Sequence, residues 1–345
     1  MKVENERSSN QETGLIQVYT SPSRRTNYAP YGLALRASGQ GFRTLIIHFA
    51  PHDFMGEEKQ ACTSLAPNLV IDASALDGFN PKEGMMAAGK AKDAFQKAME
   101  AAVSGIFDVL VLEGVLGMVS DGLIPLHEIL DLMREKGPRV ELVLTGPEAS
   151  DMIIEKADLV TEMSVRTSAR GKNQEPIEVV TGKGKGKTTY CLGKALLMSS
   201  MNVPSFILQV VKSPKPYGEI MAIKKLSGLE VETMGKGFVD KRNPDADPSH
   251  WEAAREAWER GKEIIWSSRY GLVVLDEINI AVNYGFIHPD EVQDLLLNKP
   301  KGVHLMLSGR YAKTDVMKHA TVVMEMKEVK HPFKNGIGAR KGIEY

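Results

Sequence analysis

Val179–Thr189 reads VVTGKGKGKTT, and the fold of the whole chain turns on it. An apolar, β-branched run ends there, three glycines alternate with lysines, and an Ala/Leu-rich helical stretch follows. Gly182, Gly184 and Gly186 let the backbone turn inward, so that successive N–H groups point at an anion. Lys187 adds a compact cation, Thr188 can offer its hydroxyl to Mg²⁺, and the helix beginning there adds the positive end of its dipole. Strand, glycine-rich turn and helix in this order form a phosphate-binding loop. It departs from G-x-x-x-x-G-K-[ST] at one place, where Thr181 stands for the first glycine. The plain alternative is a basic turn with no ligand.

Working outward, the same frame occurs earlier. A shift of 161 positions lays Thr20 on Thr181 and IQVYTSPSRRTNYAPYGLALRASG (16–39) on IEVVTGKGKGKTTYCLGKALLMSS (177–200). A shift of 163 lays DVLVLEG (108–114) on GLVVLDE (271–277), VELVLTGP (140–147) on VHLMLSGR (303–310) and ADLVTEM (157–163) on ATVVMEM (320–326). Motif order is the same in both halves, so the chain is a tandem duplication. Its expected divisions are a disordered leader over 1–14, a degenerate domain over 15–166, a polar linker over 167–175 and a complete domain over 176–345. In each half, strands alternate with helices such as AGKAKDAFQKAMEAAVSG (88–105) and HWEAAREAWERGKEIIWSS (250–268). In the latter, Trp251, Ala254, Trp258, Lys262 and Ile265 recur at spacings of three and four. The fold class is therefore α/β: a mostly parallel, P-loop-type sheet with helices on both faces, duplicated within the chain. Ligands of such sheets sit outside the carboxyl ends of the strands.

The first copy's loop has lost the chemistry. Ser21, Ser23 and Arg25 replace the three glycines, Pro22 removes an N–H donor, Thr26 replaces Lys187 and Asn27 replaces Thr188. In the second copy Asp276–Glu277 ends a strand. P-loop proteins place an acid at such a strand end to hold Mg²⁺ or its water. Asp276 and Glu277, with Thr188, are thus candidate metal ligands, while the first copy has Glu113–Gly114. A solvated strand end is the alternative.

Composition sets the outer limits. The 345 residues are enough for about two domains of roughly 150 residues. A net charge of −1 excludes a whole-chain basic footprint for nucleic acid, so no nucleic-acid partner is expected. The two cysteines, Cys62 and Cys191, form no CxxC pair and fit a reducing cytoplasm. No apolar run approaches the ~18 residues of a membrane span, and no signal peptide opens the chain.

The second half resembles the P-loop ATP:corrinoid adenosyltransferases of the cobalamin pathway. The likeness is carried by GKGKGKTT, MGKGF (234–238), LVVLDEIN (272–279), HLMLSGR (304–310) and HPFKNGIGARKGIEY (331–345), in that order. The first half resembles them more faintly, with Gly78–Phe79 as a remnant of Gly237–Phe238. The resemblance implies transfer of the 5′-deoxyadenosyl group of ATP to Co(I) of a corrinoid, with release of triphosphate. It implies ATP and Mg²⁺ (or Mn²⁺) as cofactors and the corrinoid as substrate. Lys187, Thr188 and Glu277 would take catalytic roles. Gly182, Lys183, Gly184, Lys185, Gly186, Lys187, Thr188, Thr189, Phe238 and Arg310 would bind ligand. The family's G-F-x-W pattern reads GFVD here, so Asp240 stands where the Trp would be. Family members pair as dimers of one such domain, which implies an internal pseudo-dimer here, a further homo-oligomer as an option, and a reductase for Co(II) as partner. The tail ending in Glu344–Tyr345 would cover the nucleotide. Two other classes stay open: a P-loop NTPase or phosphotransferase, and a non-catalytic corrinoid- or ATP-binding regulator.

Overall fold

The computed structural model describes residues 13–22, 27–50, 58–76, 84–167, 176–237 and 248–345. The first half runs β1 (Ile16–Ser21), α1 (Ala29–Gly39), β2 (Thr44–His48), α2 (Glu58–Leu65), β3 (Leu69–Asp72), α3 (Gly84–Ser104), β4 (Val109–Glu113), α4 (Val115–Ser120), α5 (Leu126–Glu135), β5 (Glu141–Pro147), α6 (Asp151–Lys156) and β6 (Leu159–Thr167). The second repeats it: β7 (Ile177–Thr181), α7 (Lys187–Ser200), β8 (Ser205–Gln209), α8 (Gly218–Ile223), β9 (Leu229–Thr233), α9 (Pro248–Trp266), β10 (Leu272–Asp276), α10 (Ile278–Asn283), α11 (Pro289–Asn298), β11 (His304–Ser308), α12 (Thr314–Met317) and β12 (Val322–Lys330).

All twelve strands join one sheet, in the order β3-β2-β4-β5-β1-β6-β12-β7-β11-β10-β8-β9. The order reads the same from either edge once β7 to β12 are matched with β1 to β6. Among the described residues neighbours run parallel, except β6 and β12, which meet antiparallel at the centre. There Met163 pairs with Met326, its own equivalent under the shift of 163, and Glu162 faces Lys327 in a 2.8 Å ion pair. A pseudo-twofold axis passes through that pair.

Helices α1 and α7 cross on the same axis. Gly32 and its equivalent Gly193 make the crossing possible. A methyl group on Gly32 would sit 1.8 Å from the Thr189 carbonyl oxygen, and one on Gly193 would sit 1.9 Å from that of Tyr28. Only glycine permits so close an approach. Strand residues alternate between cores, as the period of two demands. Val111 and Val274 join one apolar core that spans both halves with Leu33, Leu35, Leu192 and Leu196 of the crossed helices. Leu110 and Leu112 turn instead to a core of the first half, and Leu275 to a core of the second. The halves therefore share one sheet and one of three cores.

Two expectations shift. Gly14, expected to end a disordered leader, is buried, and its N–H donates to the Pro138 carbonyl at 2.9 Å. In α9, Ala254, Trp258 and Ile265 are buried, but Trp251, in the first turn, is 51% exposed. Residues 1–12, 168–175 and the Gly78–Phe79 pair lie outside the described residues.

Candidate functional site

The turn after β7 closes over β12. Gly182 and Gly186 take φ of 101° and 105°, in the left-handed region that favours glycine. The Gly184 N–H donates to the Met326 carbonyl at 2.8 Å, and a methyl group on Gly182 would lie 2.2 Å from that same oxygen. Gly186 packs on the first half: a methyl group there would meet Tyr19 Cε1 at 2.8 Å. Lys187 opens α7, is buried, and donates from Nζ to the Gly184 carbonyl at 2.6 Å. Burial lowers its pKa to about 8; Glu277 and Asp276 pull the other way, and Arg310 adds to the lowering.

Two strand ends, those of β10 and β11, meet the start of α7 beside the loop. Thr188 Oγ1 donates to Asp276 Oδ1 at 3.0 Å, and Ser308 Oγ donates to the same oxygen at 2.6 Å. The Glu277 N–H donates to Ser308 Oγ at 3.0 Å, which fixes the turn into α10. Glu277 holds φ at 65°, a conformation costing a non-glycine residue about 1 kcal/mol or more. Burial raises its pKa, and the neighbouring Asp276 raises it further. Its Oε2 is buried with no hydrogen-bond partner among the described residues. An orphaned carboxylate oxygen beside Asp276 and the Thr188 hydroxyl suits a hard divalent cation. No cluster of three or more His, Cys, Asp or Glu able to hold a metal occurs among the described residues, so phosphate oxygens and water would complete its shell.

These groups border a cleft of about 530 Å³. Of the residues singled out in the sequence, Gly184, Lys185, Gly186, Lys187, Thr188, Thr189, Glu277 and Arg310 line it. Asp276 stands behind the lining, held by Thr188 and Ser308. Gly182 shapes the loop from beneath, while Lys183 is exposed outside the lining. Phe238 and Asp240 lie outside the described residues, although Gly237 reaches the cleft.

The walls supplied by the first half and by Lys212 were not foreseen. Gln17, Tyr19, Leu33 and Arg36 of the first half line the cleft, and so does Lys212. The tail closes it with His331, Phe333, Ile337 and Glu344, while Tyr345 stands outside the lining. Arg340 pins that tail to the first half through two bonds to the buried Glu141, at 2.7 and 2.8 Å. Glu141 also accepts from the Leu15 N–H and from Gln17 Nε2. Glu344 accepts from the Arg340 N–H at 2.8 Å and from Lys185 Nζ at 2.7 Å. A chain of ion pairs thus runs from β5, through the tail, to the phosphate loop. The alignment of Gly32 with Gly193 signalled a close approach of like helices. Nothing in one linear sequence said which residues would then face the cleft.

The family model described as ATP:corrinoid adenosyltransferase BtuR/CobO/CobP matches the chain twice, over residues 12–175 and 173–345. A corrinoid adenosyltransferase of Sinorhizobium sp. is 37% identical over 200 residues, 57% of this chain and 91% of that protein. That of Escherichia coli K12 is 33% identical over 170 residues, 49% of this chain and 85% of the relative. An uncharacterised protein of Nostoc sp. is 27% identical over 366 residues and covers 96% of this chain and 95% of its own. Among solved structures, the RadB recombinase overlaps 44% of this chain and 75% of its own at 10% identity, with a TM-score of 0.29.

Proposed function

The chain belongs to the ATP:corrinoid adenosyltransferase family, and we propose that the cleft around Lys187 is where the transfer takes place. A Co(I) corrinoid is the nucleophile. Its electron pair attacks the ribose C5′ of ATP, and a carbon–cobalt bond forms. The C5′–O bond breaks, the triphosphate leaves with that bond's electrons, and the cobalt ends as Co(III). The protein supplies neither nucleophile nor base. It must hold a polyanionic leaving group and align carbon with cobalt.

The observation that carries this reading is the convergence of cationic groups on the cleft. Lys187, Arg310, Lys212 and the loop residues Gly184 to Thr189 line the same space as apolar Leu33, Ile280 and Ile337. The triphosphate takes the cationic part of that lining. Thr188, Asp276 and Glu277 would hold Mg²⁺, which when bound neutralises charge on the leaving phosphates. Phe333, 73% exposed at the cleft, and Tyr311 offer aromatic surface to the corrin. The first half lacks the glycines and the lysine, so one nucleotide site per chain follows, within an internal pseudo-dimer. No helix among the described residues is long and apolar enough to cross a membrane. A cytoplasmic location, a reductase that supplies Co(I) and further self-association complete the proposal.

The test mixes the protein anaerobically with Mg-ATP and chemically reduced corrinoid. A light-sensitive adenosyl–cobalt product and free triphosphate are expected together, and both should form about a hundredfold or more slowly in Lys187→Ala. ADP and phosphate in their place would make the chain a phosphotransferase or NTPase; binding without any product would make it a regulator.

A further inference from the structure

Arg36 belongs to the half with the degenerate loop, yet it lines the cleft of the other half. From the last turn of α1 its Nε donates to Glu219 Oε2 at 2.8 Å and its Nη2 to Oε1 at 3.4 Å. Its Nη1 donates to the Ile343 carbonyl of the tail at 2.9 Å. Glu219 is fully buried at the start of α8, where Gly39 and Gly218 bring the two helices into backbone contact. The same carboxylate receives Lys212 Nζ on Oε1 at 3.0 Å. Lys212 Nζ lies 3.7 Å from Asp276 Oδ2, the carboxylate that also holds Thr188. Arginine, glutamate, lysine and aspartate thus form an alternating relay from the first half to the phosphate and metal side of the cleft.

The duplication supplies an internal control. A shift of 161 lays Arg36 on Leu197 and Glu219 on Glu58. A clasp between two like halves would place an arginine at 197, reaching Glu58. Instead Leu197 is buried in the shared core, and Glu58 accepts from the Tyr31 hydroxyl at 2.7 Å. The arginine stands only on the side of the complete loop. Its effect on Lys212 runs through the Glu219 carboxylate that the two share. An ammonium has three donors, and a carboxylate facing it alone would draw it down into a one-to-one pair. With Arg36 on both oxygens of Glu219, Lys212 keeps donor capacity for Asp276 and the cleft.

We propose that Arg36 is a positioning residue for the transfer, contributed by the degenerate half. Through Glu219 it holds the Lys212 ammonium at the phosphate side of the cleft, and through Ile343 it anchors the tail that closes it. This rests on the cleft being the triphosphate site.

The experiment is a double-mutant cycle in the full chain: Arg36→Met, Lys212→Met and both together, with Arg36→Lys and the pair Arg36→Met/Glu219→Gln alongside. Binding of Mg-tripolyphosphate is read by calorimetry, and adenosyl transfer is read in parallel. Arg36→Met should weaken tripolyphosphate binding by about tenfold or more, the usual range for a residue acting through a ligand-holding partner. It should lower kcat more than it raises KM. The double variant should be no worse than the weaker single, because both act through one ammonium. Arg36→Lys should recover part of the loss. Arg36→Met/Glu219→Gln leaves no unpaired buried charge, so it should fold normally and still bind weakly. The proposal is overturned if that pair binds tripolyphosphate within about twofold of wild type, or if the two single losses multiply. A wild type that binds tripolyphosphate but transfers nothing sinks the transferase reading alone, with the relay still judged by the cycle. A wild type that does not bind it sinks both.

Discussion

After β7 the chain reads Gly-Lys-Gly-Lys-Gly-Lys-Thr; at the matching place after β1 it reads Ser-Pro-Ser-Arg-Arg-Thr-Asn. The strand ends beside these turns diverged far less. Ser308 donates to Asp276, and the next N–H, that of Glu277, donates to Ser308; in the first half Thr145 donates to Glu113 at 2.7 Å and the Gly114 N–H donates to Thr145 at 3.0 Å. The strand-end hydrogen bonds hold the sheet's edge of loops together, so both halves keep them. The glycines, the lysine and the strained acid are the groups we propose for an anion and a metal, and only one half keeps those. Gly114 relaxes, at φ 83°, the position where Glu277 is held left-handed. The degenerate half nonetheless supplies Tyr19 beneath Gly186 and Arg36 beside Lys212. Its own loop sequence lacks the glycines and the lysine, yet its residues line the cleft of its neighbour.

The largest expected effect separates the two loops. Lys187→Ala should lower adenosyl transfer by about a hundredfold to a thousandfold, the range for losing one preorganised electrostatic contact. Thr26→Lys in the first loop should add no measurable turnover, since a lysine without the glycine cradle holds no triphosphate. Appreciable activity in Lys187→Ala/Thr26→Lys would break the contrast.

The glycine crossing tests the symmetry instead. Gly32→Ala and Gly193→Ala should each cost about 3 kcal/mol in denaturant unfolding, because both methyl groups would strike a backbone carbonyl. Unequal costs would show that the two helices do not share the crossing evenly.

Making the second half resemble the first at one position trades activity for ease of folding. Glu277→Gly should reduce metal-dependent transfer by about tenfold to a hundredfold. It should also stabilise the fold by up to about 1 kcal/mol, since left-handed backbone and a buried carboxylate are both relieved. Loss of stability together with loss of activity would contradict that account.

The smallest effect is in pH. Lys187, with its pKa lowered to about 8, is cationic below that pH and loses its proton as pH rises through it. Anion binding favours the charged form, so tripolyphosphate affinity, measured without divalent cation, should be steady below about 8 and fall above it. Lys187→Arg, which stays charged across this range, should flatten that limb. An unchanged slope would remove Lys187 from the phosphate contacts.

Much of this was legible in the sequence, for identifiable reasons. Repeat register is a one-dimensional property, and the shift of 163 already placed Met163 on Met326, which the sheet brings face to face. The phosphate loop and the Asp276–Glu277 strand end carry their chemistry in contiguous residues. The antiparallel seam between β6 and β12 was not legible, because strand patterning says which face is buried and not which strand comes next. Arg36, Lys212 and Glu219 were missed for the same cause: they meet only because α1 and α8 approach through glycines more than a hundred positions apart. Trp251 fitted the helical spacing, yet in the first turn of α9 it is left exposed.

Equilibrium titration of Mg-ATP against the full chain, counting sites, goes most directly to the central claim that two unequal halves build one working cleft. One nucleotide per chain is predicted, falling to none in Lys187→Ala. Two per chain, or one that survives that substitution, would mean that the first half still binds nucleotide in its own right.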